Sequence, residues 1–89
     1  MIARDKAELE ARLKRIGGQV GGIQRMLDEE RPLLDVLTQL AAVRAALDGV
    51  TNIVVAAHVE ARVNTVLSHD SPRERLDFAR EIATLVRKM

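Results

Sequence analysis

The sequence predicts an all-α protein, and three observations support this class. The 89 residues are rich in alanine, leucine and valine, with one phenylalanine as the only aromatic residue and no cysteine. Three segments repeat apolar residues every three or four positions, which is the period of an amphipathic helix. No segment alternates polar and apolar residues as a strand does. A chain this short buries a small core. We therefore expect residues 1–89 to form a single domain that is stabilised by other chains.

The first predicted helix begins with Asp5 as its N-cap, because Glu8 lies at the spacing of a capping box. It ends before Pro32, since proline cannot continue a helix. Its apolar residues form a heptad seam, which predicts lengthwise packing against another helix. The seam residues are Leu9, Leu13, Ile16, Val20, Ile23 and Leu27.

The second predicted helix runs from Leu33 to Asp70, a stretch with no proline and one glycine, Gly49. It would be about 55 Å long, which is more than a compact globule of this chain length spans. The short connection before it predicts an antiparallel pair of helices, and a helix so long predicts a homo-oligomer. Its apolar residues keep the helical period at Val36, Leu40, Val43, Leu47, Val50 and Val54.

The third predicted helix has the clearest start in the chain. Ser71 is the expected N-cap, Pro72 takes the first helical position, and Glu74 completes the capping box. The helix is short and amphipathic, so we expect it to pack on the outside of the bundle. Its apolar residues are Leu76, Phe78, Ala79, Ile82, Ala83, Leu85, Val86 and Met89.

The net charge of +1 hides an uneven distribution. Residues 11–27 carry basic side chains and no acidic one, and the tail from Ser71 also leans positive. A basic surface repeated in an oligomer attracts phosphate, which makes double-stranded DNA a candidate partner. The alternative interpretation is solubility, because helix surfaces usually carry such charges. The basic residues in residues 11–27 are Arg12, Lys14, Arg15 and Arg25.

Residues 17–22 contain four glycines inside the first helix. Each glycine costs about 0.5–1 kcal/mol in a helix interior. By helical position they lie beside Lys14, Arg15 and Arg25, away from the seam. Three interpretations stay open: close approach of a phosphate strand, close packing of a neighbouring subunit, and a bend or break of the helix.

Several classes of function are not supported by the sequence. It offers no nucleophile and base at catalytic spacing, no glycine-rich loop after a strand and no carboxylate cluster, so we do not expect an enzyme. A single aromatic residue does not provide a base-stacking platform. The charged N-terminus lacks the apolar stretch of a signal peptide, and no uninterrupted apolar run is long enough to span a bilayer. We expect a cytoplasmic protein with no membrane partner.

Two stretches are distinctive, residues 12–23 (RLKRIGGQVGGI) and residues 36–47 (VLTQLAAVRAAL), followed by His58. In order and spacing they resemble the copper-, nickel/cobalt- and formaldehyde-sensing bacterial repressors of the CsoR/RcnR/FrmR type. The resemblance implies three-helix subunits that form an antiparallel four-helix-bundle dimer and then a tetramer. It also implies repression of transcription by binding operator DNA without a helix-turn-helix.

The chain departs from this family at the sensing residues. Relatives that sense metal or formaldehyde carry a cysteine where this chain has Leu33. The family histidine is retained as His58, but the ligand position one turn later is Arg62, and the glutamate of nickel and cobalt sensors falls at Ala61. The resemblance therefore implies a diverged effector site at Leu33, His58 and Arg62. Formaldehyde sensing by the family's route needs a cysteine nucleophile, which is absent.

We expect no metal cofactor. A metal needs several donors at about 2 Å, and the second histidine, His69, lies about 16 Å from His58 along the same helix. A metal site between chains stays open, with His58 meeting Glu60 or Asp35 of a partner subunit. The sequence is equally compatible with an organic effector near Leu33 and His58, with protonation of His58 as the trigger, or with no effector.

These observations predict a cytoplasmic, DNA-binding transcriptional repressor with a possible small-molecule effector. The alternative is a helical oligomeric scaffold that has lost DNA binding. Arg44 could equally form an interhelical ion pair, because it shares a heptad row with Leu37, Thr51 and His58. The predicted DNA contacts are Arg12, Lys14, Arg15, Gln19, Arg25 and Arg44.

Overall fold

The computed structural model describes the backbone of residues 3–69 and 71–89, and the side chains of residues 4–68 and 71–89. It contains three helices, α1 (Ala3–Asp28), α2 (Leu33–His69) and α3 (Pro72–Lys88). None of the described residues belongs to a strand. The prediction of an all-α, three-helix subunit with a long second helix is confirmed. The predicted end of that helix at Asp70 lies outside the described residues.

The chain packs as two compact units. The first comprises α1 with α2 up to Ile53, and the second comprises α2 from Val54 with α3. In the second unit Ala57 is buried. The core of the first unit consists of Ile16, Ile23, Val36 and Val43, with Met26, Ala46 and Val50 packed against it.

The heptad seam of α1 is buried along only one of its two rows. Leu9, Ile16 and Ile23 are 7–8% exposed, whereas the alternate seam residues Leu13, Val20 and Leu27 are 44–53% exposed. Residues seven apart lie almost on one line along a helix, and a single neighbouring helix covers one such line. The prediction of lengthwise packing is therefore correct for one row within the chain.

The same division occurs on α2 within the first unit. Val36 and Val43 are buried, whereas Leu40 and Leu47 are 48% and 44% exposed. The hairpin thus leaves apolar side chains uncovered on both of its helices. We call these the exposed apolar rows; they are Leu13, Val20 and Leu27 on α1, and Leu40 and Leu47 on α2.

The turn between α1 and α2 follows the Schellman pattern. Glu30 has φ of 54°, in the left-handed region. Its N–H donates to the carbonyl of Leu27 at 3.1 Å, and the N–H of Arg31 donates to the carbonyl of Met26 at 2.9 Å. These two bonds satisfy carbonyls at the helix end and reverse the chain direction. Glycine is the usual residue at this position, so glutamate here carries backbone strain.

The predicted start of α1 is wrong. The helix begins at Ala3, so Asp5 lies in its first turn and is not the N-cap. Glutamate three residues after aspartate also occurs inside helices, and this spacing alone does not identify a cap. The Asp5 carboxylate in the first turn still interacts favourably with the positive end of the helix dipole.

The predicted start of α3 is confirmed. Ser71 has extended backbone angles, and its side-chain oxygen accepts a hydrogen bond from the N–H of Glu74 at 3.4 Å. Pro72 occupies the first helical position. The cap places α3 directly after α2, although none of the α3 residues is fully buried.

By length and composition alone, α2 is apolar enough to cross a membrane. The segment Leu33–Ser68 has a mean hydropathy of 1.5, and 11% of its most apolar window is buried within the chain. Arg44, Asp48 and Glu60 interrupt the apolar run, so the helix is apolar on average without being uninterrupted. A helix that forms the core between subunits has the same composition, so this property by itself does not indicate a membrane span.

Candidate functional site

An exposed basic surface lies on α1 opposite its buried row. At about 100° per residue, Lys14, Arg15 and Arg25 fall within one arc of about 100°, on the far side from Ile16. All three side chains are exposed. Within the described part of the chain none of them forms an ion pair. We call this surface, formed by Lys14, Arg15 and Arg25, the basic face.

Glycines underlie the basic face. A Cβ atom on Gly18 would have no neighbouring atom within 4 Å, and one on Gly22 would lie 3.7 Å from Nη2 of Arg25. The arginine side chain therefore extends back over the glycine. The helix is continuous through residues 17–22, and none of these glycines has a positive φ. The interpretation that α1 breaks here is wrong, and the backbone of the basic face is accessible.

Arg12 does not belong to the basic face. It donates from Nε and Nη2 to the carboxylate of Glu8 at 3.3 and 3.1 Å, and its Nη1 lies 3.2 Å from the position of a Cβ on Gly49. Arg12 is thus turned toward α2 and paired. The expectation that this charge is uncompensated is wrong, because Glu8 lies one helical turn before the basic stretch. This contact also shows that α1 and α2 run antiparallel, since the turn joins residues 28 and 33.

The remaining predicted DNA contacts lie apart from the basic face. Gln19 is half-buried on α1. Arg44 is exposed on α2, and no ion pair within the described residues involves it. The alternative of an interhelical ion pair is therefore not observed within one chain, and DNA contact by Arg44 and Gln19 stays a prediction.

A second candidate site lies in the other unit, where His58 and Arg62 of α2 meet Glu81 of α3. Nε of Arg62 donates to Oε2 of Glu81 at 2.9 Å, and Nε2 of His58 lies 3.3 Å from the same oxygen. Residues four apart share one helix face, which brings both side chains to one carboxylate. The open cleft around them has a volume of about 520 Å³ and is lined by His58, Arg62, Asp77, Arg80, Glu81, Thr84 and Leu85. We call it the α2–α3 cleft.

The two basic partners control the ionisation of Glu81. Partial desolvation raises the pKa of its carboxyl, but hydrogen bonds from Arg62 and His58, together with their charges, outweigh this effect and leave the pKa below its usual value. Glu81 is therefore an ionised acceptor at neutral pH. The sequence alone does not predict this residue, because no local spacing shows which α3 carboxylate faces Arg62.

The residues of this cleft do not fit a metal ion within one chain. The described residues contain no group of three or more histidine, cysteine, aspartate or glutamate side chains placed to hold one. The cleft instead holds the permanent cation of Arg62 on the carboxylate that His58 also contacts. A divalent ion beside His58 would be repelled by that guanidinium.

The other predicted effector residues add no donor here. Leu33 is the first residue of α2 and is 76% exposed. Its side chain is aliphatic, and its role in an effector site stays a prediction. The side chain of His69 lies outside the described residues.

The fold and these two surfaces define a class of small all-α protein, with a basic helix face and a separate polar cleft. The chain matches the metal-sensitive transcriptional repressor family over residues 5–88 and belongs to that family. This confirms the resemblance found in the sequence.

Individual relatives agree with this assignment. The transcriptional repressor RcnR of Salmonella paratyphi B is 40% identical over 75 residues, which cover 84% of this chain and 81% of that protein. RcnR of Escherichia coli is 43% identical over 56 residues, which cover 63% of this chain. The match spans 62% of the length of the Escherichia coli protein. Among solved structures, the nickel-responsive transcriptional regulator InrS has a TM-score of 0.77 and 30% identity, covering 89% of this chain and 90% of that one.

Proposed function

We propose that this protein is a cytoplasmic transcriptional repressor that binds double-stranded operator DNA through the basic face of α1. The observation that supports this function best is the basic face itself, where three exposed cations without ion-pair partners lie over accessible glycine backbone. Exposed cations bind phosphates and give affinity without reading base sequence. Glycines permit close approach of the backbone to a phosphate strand. Membership of a repressor family supports the same function.

The protein acts as a homo-oligomer in this proposal. The exposed apolar rows run along both helices of the first unit, and burying them needs an apolar partner surface. A second copy of the chain offers the same rows, which is the usual basis of a two-fold interface. The family resemblance implies an antiparallel dimer and a tetramer, and either assembly would present more than one basic face to DNA.

We further propose that the protein is not an enzyme and that its effector is not a metal held by one chain. The chemistry of the α2–α3 cleft supports the second statement, because Arg62 replaces an electron-pair donor with a cation. Calorimetry with Ni(II), Co(II), Zn(II) and Cu(I) tests it. Tight stoichiometric binding that is lost in His58→Ala would overturn it and favour the inter-chain site.

The test of DNA binding is fluorescence anisotropy with a DNA fragment from the promoter of the protein's own gene, at several salt concentrations. The wild type should bind this fragment more tightly than random DNA, with an affinity that falls steeply as salt rises. Lys14→Ala and Arg15→Ala should each weaken binding and lower the slope of log affinity against log salt by about one.

Lys6→Ala is the matched control for these variants. It removes the same charge from α1, but Lys6 is paired with Glu10 and lies on the opposite side of the helix from Arg15. It should therefore bind DNA like the wild type. An intact oligomer that does not distinguish the promoter fragment from random DNA would contradict the repressor and favour the helical scaffold.

A further inference from the structure

The guanidinium of Arg62 has unused hydrogen-bond donors inside the α2–α3 cleft. Its side chain is 27% exposed, and only Nε is engaged, with Oε2 of Glu81. No hydrogen bond within the described residues occupies Nη1 or Nη2. A guanidinium carries five N–H donors, so most of the donors of Arg62 are free for a ligand. The pair with Glu81 holds the side chain in place, which lowers the entropy cost of binding.

The other charges of the cleft limit what the ligand can be. Arg80 lines the same cleft and forms no ion pair within the described residues. Asp77 also lines it and opposes the entry of a strongly negative group. With Glu81 neutralised by Arg62, the cleft favours one negative charge. Leu85 supplies an apolar wall for a small hydrocarbon group.

We propose that the α2–α3 cleft binds a small organic monocarboxylate. The ligand's two oxygens accept hydrogen bonds from the free Nη groups of Arg62, which is the planar pairing that guanidinium and carboxylate favour. Arg80 adds a second cation, and the hydrocarbon part lies against Leu85. Glu81 keeps its bond to Nε of Arg62, so the contact between α2 and α3 persists in the bound state. The role of such a ligand as an effector rests on the proposed function; its binding does not.

The test is a titration of wild-type protein with sodium benzoate, followed by NMR of ¹⁵N-labelled arginine side chains. We expect a saturable shift of the Arg62 Nε–H signal, with no shift of Arg73, an exposed α3 arginine that does not line the cleft. Benzamide has the same shape without the charge and should not bind. Inorganic phosphate should compete poorly, because Asp77 disfavours a dianion.

Variants then test the assigned contacts. Arg62→Gln should weaken benzoate binding about tenfold or more, because a charge-assisted bidentate pair is lost. Asp77→Asn should strengthen binding several-fold by removing a like charge, and the control Arg73→Gln should leave it unchanged. Equal binding of benzoate and benzamide, or no saturable Arg62 shift, would overturn the proposal. This comparison uses only the wild type, so it is decisive even if a variant does not fold.

The effector role is tested separately by adding benzoate to the DNA-binding assay. A change in operator affinity in wild type but not in Arg62→Gln would support it. Saturation of the cleft without a change in operator affinity would overturn the effector role and leave the site intact. Failure of the protein to bind any operator would overturn the proposed function, while the benzoate titration would still decide the site.

Discussion

A Cβ atom on Gly49 of α2 would lie 3.2 Å from Nη1 of Arg12 on α1. Glycine at this position therefore leaves room for an arginine of the neighbouring helix. Arg12 is held on its other side by Glu8 at 3.1 Å. The contact explains why the only glycine of α2 within the described residues lies in the middle of a helix, where alanine would be more stable.

The first prediction compares Gly49→Ala with Gly18→Ala. Each replacement gains about 0.5–1 kcal/mol of helix propensity, but only Gly49→Ala forces the Arg12 side chain to shift. We therefore expect Gly18→Ala to raise the free energy of unfolding by this amount and Gly49→Ala to raise it less. Urea unfolding at one fixed protein concentration measures both values, because assembly makes stability depend on concentration. A larger gain for Gly49→Ala would contradict the crowding inferred from the 3.2 Å distance.

The second prediction concerns the strained residue of the turn. Glu30→Gly should raise the free energy of unfolding by about 1 kcal/mol, because glycine adopts the positive φ of 54° without a steric cost. The matched control is Glu29→Gly, one residue earlier, where φ is not positive. That variant should be neutral or destabilising. If both variants shifted the thermal midpoint equally, strain at Glu30 would not be the cause.

The third prediction concerns pH. Because the pKa of Glu81 is lower in the folded protein, its pair with Arg62 contributes stability above the unfolded-state pKa of about 4.3. That contribution is lost as the pH falls through the lower, folded-state pKa. Urea unfolding from about pH 6 to pH 3 should therefore show a steeper loss for the wild type than for Glu81→Gln. Glu60→Gln removes an exposed carboxylate of α2 and should keep the pH dependence of the wild type. A Glu81→Gln curve parallel to that of the wild type would contradict the role of this pair.

The fourth prediction concerns assembly. Leu47 is 44% exposed in the single chain, and the proposed oligomer buries its row. Leu47→Glu should weaken self-association about a hundredfold or more, since an unpaired carboxylate would be buried. Gln39→Glu adds the same charge at an exposed polar position of α2 and serves as the control.

Sedimentation velocity at several concentrations measures this effect, with circular dichroism to check that each variant is helical. Wild-type protein that sediments as a folded monomer would contradict the oligomer. Dissociation of the Gln39→Glu variant to the same extent as Leu47→Glu would show that charge, and not the exposed apolar rows, controls assembly.

Local signals made most of the fold predictable. Pro72 after Ser71 marked the start of α3, and the absence of proline after Leu33 marked a long second helix, because capping and proline effects act within a few residues. Asp5 shows the limit of such signals, since a capping spacing does not identify a cap without the backbone conformation around it. Arg12 shows another limit, because its partner Glu8 lay just outside the basic stretch.

The sequence by itself determined that the chain forms three helices and that α1 carries basic residues on the side away from its apolar seam. Both follow from helical period and capping, which depend on neighbours in the chain. Only the tertiary structure decided which row of each seam is buried, that Arg12 turns toward Gly49, and that Arg62 pairs with Glu81. The last pair is 19 residues apart in the chain. Contacts at that separation depend on how whole helices pack, and no local pattern of residues encodes them.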